Sequence, residues 1–226
     1  MSNPKVIIFD VNETLLDLKP LRTSVGTVLK GQEDLLPLWF STMLHYSLVK
    51  TLVGDYHDFG EIGTAALMMV AQQQGLDLEH STAQQAIVGS ITNLPPHPDV
   101  KEGLAALSQS GFRLISLTNS LNKGVATQFQ NAGLTDYFER RFSMEDVRTY
   151  KPDPRLYRWA LKEIGVQPEE ALMVAAHTWD LAGAKAVGLQ TAFIQRPGTT
   201  LYPNTTPPDS VVADLNQLAQ QLISQQ

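Results

Sequence analysis

Asp10 closes the apolar run Val6-Ile7-Ile8-Phe9 and is followed by a turn-prone Asn12 and a small hydroxyl, Thr14. A short continuous apolar run suits a strand buried on both faces of a parallel sheet. A carboxylate at the carboxyl end of such a strand sits where open α/β sheets bind ligands. There it can act as a nucleophile or a metal ligand, or it can merely cap the next segment. Two more polar groups, Thr118-Asn119 and Asp180, follow other apolar runs, and Lys151 lies on the connection between them. Singly, each has a plain alternative: Lys151 a solvated lysine, Thr118-Asn119 a helix cap, Asp180 a first-turn helix charge. Together they are a carboxylate, a hydroxyl–amide pair, a cation and a second carboxylate, which a parallel sheet would gather at one edge.

The elements that must position them are readable. From about residue 18 to 98 the pattern is helical, without a convincing strand. Leu35, Leu36, Trp39, Phe40, Met43, Leu44, Ser47, Leu48 and Leu52 recur at helical spacing, with Gly54 and Asp55 as the stop. A second helix is expected over Ile62 to Gln74, stopped by Gly75, and a third near Thr82 to Thr92 with Ser81 as its cap. Pro95, Pro96 and Pro98 make a stiff linker. Strands then alternate with helices. Strands are expected over Phe112 to Leu117, Arg141 to Ser143, Leu172 to Ala176 and Gln190 to Ile194. Helices are expected over Val100 to Ser110, up to Ala132, Pro154 to Ile164, up to Val187, and Ser210 to Leu222. This alternation implies an α/β fold with a doubly wound parallel sheet, interrupted after its first strand by a small helical domain. The boundaries are 1–16 and 97–226 for the α/β core, and 17–96 for the insertion.

Composition narrows the partners. With 43% hydrophobic residues, the 226-residue chain can bury a full core. A net charge of -6 and no Lys/Arg cluster argue against nucleic acid or an anionic membrane as partner. The absence of cysteine excludes disulfides, thiolate metal sites and cysteine nucleophiles. His45, His57, His80 and His97 have no ligand-like spacing, so no zinc site is expected. No signal peptide is visible, and no apolar stretch reaches the roughly 18 residues of a membrane span, so a cytoplasmic location is expected.

The order aspartate, Thr/Ser, lysine before a helix, aspartate resembles the four-motif set of the haloacid dehalogenase superfamily, with its Rossmann-like core and helical cap. The resemblance spans nearly the whole chain. It sharpens toward the type II 2-haloacid dehalogenases at Trp39, Leu44, Tyr46, Ser47, Leu52, Gly54, Tyr56, Asp58 and Phe59. It also does so at Ala132-Gly133-Leu134-Thr135-Asp136, Lys151-Pro152-Asp153-Pro154 and Gly183-Ala184-Lys185. That resemblance implies a hydrolase in which Asp10 displaces halide from a short 2-halo acid and forms an aspartyl ester that water then cleaves. Lys151 would keep Asp10 ionised, Thr14 would orient it, and Asp180 would position or deprotonate the water. Val11, Asn12, Thr118, Asn119, Trp39, Phe40 and His177 would bind substrate, Thr118 and Asn119 taking its carboxylate. No cofactor and no metal are implied. A homodimer is open to such a chain, since the apolar positions of the Leu35–Leu52 helix suit either a dimer or the cap core.

Two other readings compete. Phosphatases of the superfamily usually carry a second aspartate two residues after the nucleophile, where this chain has Asn12, which cannot give up a proton at neutral pH. They also need an acidic pair for Mg²⁺ near the fourth motif, where Ala175-Ala176-His177 precedes Asp180. The third reading is a non-catalytic binding protein that has kept the fold. The chain also departs from the dehalogenase pattern. Phe40 stands where an arginine usually follows the cap tryptophan, Asn12 replaces a tyrosine, and Ala175-Ala176-His177 replaces Ser-Ser-Asn.

Overall fold

The computed structural model describes residues 4–226, so the first three residues of the expected core segment 1–16 lie outside the described residues. The run Val6–Phe9 forms strand β1, buried at every position. It lies between β2 (Arg113–Thr118) and β4 (Ala171–Ala175), pairing in parallel with both. β3 (Arg140–Ser143) extends the sheet beyond β2, and β5 (Gln190–Ile194) and β6 (Ser210–Val212) extend it beyond β4. The order is β3-β2-β1-β4-β5-β6. Connections run outward from β1 on both sides, so the crevice for a ligand opens beyond the carboxyl ends of β1 and β4. Phe9 is level with Ser116 and Val174, which sets Asp10 level with Leu117 and Ala175, at the carboxyl ends of β2 and β4.

Helices α1 (Lys19–Val28), α2 (Leu36–Val53), α3 (Phe59–Gln73) and α4 (His80–Ile91) follow β1 with no strand among them. α2 begins at Leu36-Pro37, where a proline costs no hydrogen bond, and ends at Gly54, whose φ of 73° suits glycine. α3 opens on a capping box: Asp58 accepts from the Glu61 N–H, and the Glu61 carboxylate accepts from the Asp58 N–H. α2 turns Trp39, Met43 and Ser47 inward and leaves Leu38, Leu48, Leu52 and Val53 exposed. The expected apolar face is therefore divided between the inside of the helical block and its surface.

The core resumes with α5 (Val100–Gln109), α6 (Asn122–Ala132), α7 (Pro154–Ile164), α8 (Thr178–Lys185) and α9 (Leu215–Ile223). Two expected elements differ from the structure. Ser81 is no cap; α4 starts at His80, and its Glu79 N-cap makes no side-chain cap bond. The helix expected over Ser210 to Leu222 begins only at Leu215, capped by Asp214 accepting from the Gln217 N–H at 2.7 Å. The residues before it, Ser210-Val211-Val212, form β6 beside β5, because a sheet edge rewards β-branched residues more than a helix start does. Among the described residues no helix is long and apolar enough to cross a membrane.

Candidate active site

The carboxyl ends of β1, β2 and β4, with the loop before α7, bring four of the expected residues into one buried hydrogen-bonded cluster. The Lys151 ammonium donates to Asp10 Oδ1 at 2.7 Å and to Asp180 Oδ2 at 2.5 Å. Thr14 donates its hydroxyl to Asp10 Oδ2 at 2.7 Å and accepts from the Ala176 N–H at 2.9 Å. One hydroxyl thus ties the β1 loop to the end of β4. Lys151 is held by its backbone as well, its N–H donating to Asn119 Oδ1 at 2.9 Å. The lysine loop also rests closely on α8. A Cβ on Gly183 would lie 2.5 Å from the Pro152 carbonyl oxygen and 2.7 Å from the Tyr157 ring, so only glycine permits this approach.

Electrostatics follow from this packing. Burial pushes the Asp10 carboxyl up, but the Lys151 charge and the His177 hydrogen bond outweigh it and hold Asp10 well below the usual carboxylate range. Burial works against the Lys151 ammonium, yet Asp10 and Asp180 together raise it. Asp180 is raised, first by burial, although Lys151 pulls the other way. Its second oxygen accepts from the Tyr157 hydroxyl at 2.5 Å. Asp180 therefore stands behind Lys151 with both oxygens engaged, and it does not line the cavity in front of Asp10.

That cavity is lined by Asp10, Asn12, Thr118, Asn119, Lys151, His177 and Trp179 from the core, and by Phe40, Leu44 and Phe59 from the helical block. It holds about 20 Å³, room for about one water molecule. Asn119 Nδ2 is buried without a partner, a free donor for an anion. Thr118 Oγ1 accepts from the Ser120 N–H, and Asn12 is spanned between Ser120 and Gln128. Outside lies a cleft of about 720 Å³ that shares Phe40, Leu44, His177 and Trp179 with the cavity. His177 is stacked between Phe40 at 5.8 Å and Trp179 at 5.1 Å, so these three rings form part of the wall between cavity and cleft.

Two expected substrate-binding residues lie elsewhere. Val11 is fully buried in the apolar core just beyond β1 and does not line the cavity. Trp39 is 1% exposed and donates its Nε1–H to the Gly63 carbonyl, so it packs the helical block internally. Sequence reasoning passed over Tyr157, Trp179 and Glu13. The Glu13 carboxylate accepts from His177 Nε2 at 2.7 Å. The available signal was a pair of titratable residues, Glu13 and His177, in two loops that the sheet brings to one edge.

A buried, ionised aspartate at the switch point of a parallel sheet, paired with lysine under a helical insertion, has the parts that an α/β enzyme with a carboxylate nucleophile needs. Comparison with known proteins gives the family. Residues 4–188 match the model of the haloacid dehalogenase-like hydrolases, and the chain belongs to that family. It is 30% identical over 220 residues to (S)-2-haloacid dehalogenase 1 of Pseudomonas sp. (strain CBS-3), covering 97% of this chain and 96% of that one. It is 32% identical over 199 residues to haloacetate dehalogenase H-2 of Moraxella sp. (strain B), covering 88% of each. The solved L-2-haloacid dehalogenase of Xanthobacter autotrophicus with chloropropionic acid covalently bound superposes with a TM-score of 0.86 at 25% identity, over 97% of this chain and 98% of that one.

Proposed function

We propose that this hydrolase removes halide from a small 2-halo carboxylic acid through an ester on Asp10, with residues 17–96 acting as a cap over the core formed by 1–16 and 97–226. The observation that carries the reading is the Asp10–Lys151 pair, 2.7 Å apart and buried, facing a cavity whose other side is Phe40, Leu44 and Phe59. An apolar roof suits a carbon–halogen bond, and exclusion of water leaves the carboxylate a stronger nucleophile. The substrate carboxylate takes the free Asn119 amide beside Thr118. Asp10 attacks the halogen-bearing carbon, the carbon–halogen bond breaks with its electron pair on the halide, and a neutral ester remains. Thr14 and Lys151 orient Asp10, while Asp180, shielded from the cavity, positions Lys151 rather than the water. The relatives named for haloacetate and for (S)-2-haloacids support a substrate of this size.

The test is halide release from a panel of 2-halo acids against phosphate release from small phosphate esters, with a chelator and with Mg²⁺. Halide release in chelator, with added mass on the Asp10 peptide, supports the reading. Phosphate release that requires Mg²⁺ overturns it.

A further inference from the structure

Glu13 and His177 lie outside the Asp10–Lys151–Asp180 cluster but touch it. The His177 ring is fixed at both nitrogens, Nδ1 at 3.3 Å from Asp10 Oδ2 and Nε2 at 2.7 Å from Glu13 Oε2. The rings of Phe40 and Trp179 fix its plane. Glu13 holds its place with a φ of 67°, a left-handed conformation that is unfavourable for a residue with a side chain. The surroundings impose that conformation. The Glu13 carbonyl bonds His97 Nε2 at 2.9 Å. The next carbonyl, of Thr14, accepts from Arg196 Nε at 3.0 Å and Nη2 at 2.9 Å, and Arg196 is paired with Asp99 at 2.7 Å. Strain maintained beside a nucleophile points to a use for the side chain it presents.

Resting on the reading that Asp10 becomes an ester, we propose that Glu13 and His177 form a dyad for the second half-reaction. His177 is the general base that activates water against the Asp10 ester, and Glu13 is the positioning residue that sets its tautomer. In the resting enzyme His177 is an acid. Burial pushes its imidazole down, but hydrogen bonds and charge from Asp10 and Glu13 raise it to about 9. Alkylation removes the Asp10 charge, so His177 keeps one carboxylate partner instead of two. Its Nδ1 proton leaves with the halide. Glu13 retains the Nε2–H, and the Nδ1 lone pair then faces the ester.

His177 Nδ1 takes a proton from water, and the resulting hydroxide bonds to Asp10 Cγ. The adduct collapses, breaking the bond from Cγ to the alkyl-bearing oxygen, and that oxygen takes the proton from His177. Asp10 emerges as the carboxylic acid, and its proton passes to Nδ1, restoring the resting ion pair. One water enters, and one hydroxy acid, one halide and one proton leave. The other groups near His177 are not placed for this task. Lys151 is occupied by two carboxylates, and Asp180 is shielded behind it. Arg22 and Tyr202 line the outer cleft with His177 and do not line the cavity.

Single-turnover kinetics with 2-chloropropionate separate the two halves. His177→Asn and Glu13→Gln are expected to retain a halide burst stoichiometric with enzyme, while steady-state turnover falls on the order of 10²-fold and the ester accumulates on the Asp10 peptide. The rate of ester hydrolysis in the wild type should rise with pH as His177 loses its proton. In Glu13→Gln that rise should move to lower pH, because the imidazolium has lost an anionic partner. Glu13→Gly removes the carboxylate and relieves the left-handed backbone, so it should show the same ester build-up in a protein that still folds. Burst and turnover that fall together, or a pH profile unmoved by Glu13→Gln, would overturn the dyad while leaving the Asp10 ester intact. A wild type that releases no halide and forms no Asp10 adduct removes the underlying reading, and the dyad falls with it.

Discussion

Core and insertion contribute different chemistry to the same cavity. From the core come Asp10, Asn12, Asn119, Lys151 and His177, with hydrogen bonds to one another or to their flanking loops. From the insertion come Phe40, Leu44 and Phe59, whose side chains carry no polar atom. Reaction geometry is thus built into strand register and loop hydrogen bonds. The insertion supplies an apolar cover, which lowers the local dielectric and strengthens each charge interaction beneath it. The cavity left between them holds about 20 Å³, too small for a halo acid, so part of its lining must move to admit one.

If chemistry resides in the core, removing its nucleophile should cost the most. Asp10→Asn keeps shape and burial but cannot form the ester. Turnover should fall by about 10³-fold or more while circular dichroism keeps the wild-type fold, the unfolding midpoint dropping only by what the lost ion pair contributes. Full retained activity would move the reacting group elsewhere. Lys151→Met should follow. It leaves Asp10 and Asp180 buried without their shared cation, and breaking such a pair costs about 3–5 kcal/mol, read as a lower denaturation midpoint. Asp10 then ionises less readily, so residual activity should shift to higher pH. A variant as stable as wild type would show that the two carboxylates do not depend on Lys151.

Much of this division was legible in the chain itself. The runs that became β1, β2 and β4 are continuous and apolar because both faces of a central parallel strand are covered, and their polar termini therefore stood out. Asp10, Thr14, Lys151 and Asp180 meet as their order and spacing implied. Val11 and Trp39, both expected at the substrate, have side chains buried in the core and in the helical block, a direction that neither sequence position nor resemblance fixes. Glu13 was passed over for a related reason, since its direction depends on a left-handed φ that no periodicity encodes. β6 was read as the start of a helix because three residues are too few to show a two-residue period against a helical one that follows.

Titration offers a third contrast, since the core site carries ionisable groups and the insertion's side of the cavity carries none. His177 has a folded pKa of about 9 against an ordinary 6.5. Its contribution to stability is therefore fully present below pH 6.5 and disappears as pH rises through 9. The gap corresponds to at most about 3 kcal/mol. Denaturant unfolding of wild type and His177→Asn should differ most near pH 6 and converge above pH 9. The cost of Phe40→Leu, by contrast, should stay constant over that window. A wild-type advantage that grows with pH would mean that His177 is buried neutral.

The smallest effect asks whether chemistry can be moved into the insertion. A departing halide carries a full negative charge, and stabilising that charge lowers the first barrier. Phe40 offers only a ring edge, a weakly positive surface. Phe40→Arg would place a guanidinium over the cavity, as in the branch that the sequence resembles. Two effects oppose the gain. The stack on His177, 5.8 Å between ring centres, would be lost, and a cation there would repel the imidazolium. The net result should be a rise of about tenfold or less in the halide burst rate with 2-chloropropionate, with little change in ester hydrolysis. Pre-steady-state halide release measures the first quantity, and decay of the Asp10 adduct the second. If Phe40→Arg and Phe40→Leu behave alike, the insertion acts as a cover alone. A burst rate that falls more than about tenfold in both would show that the phenyl ring itself holds the halogen, and the insertion would then share in the chemistry that the core was taken to own.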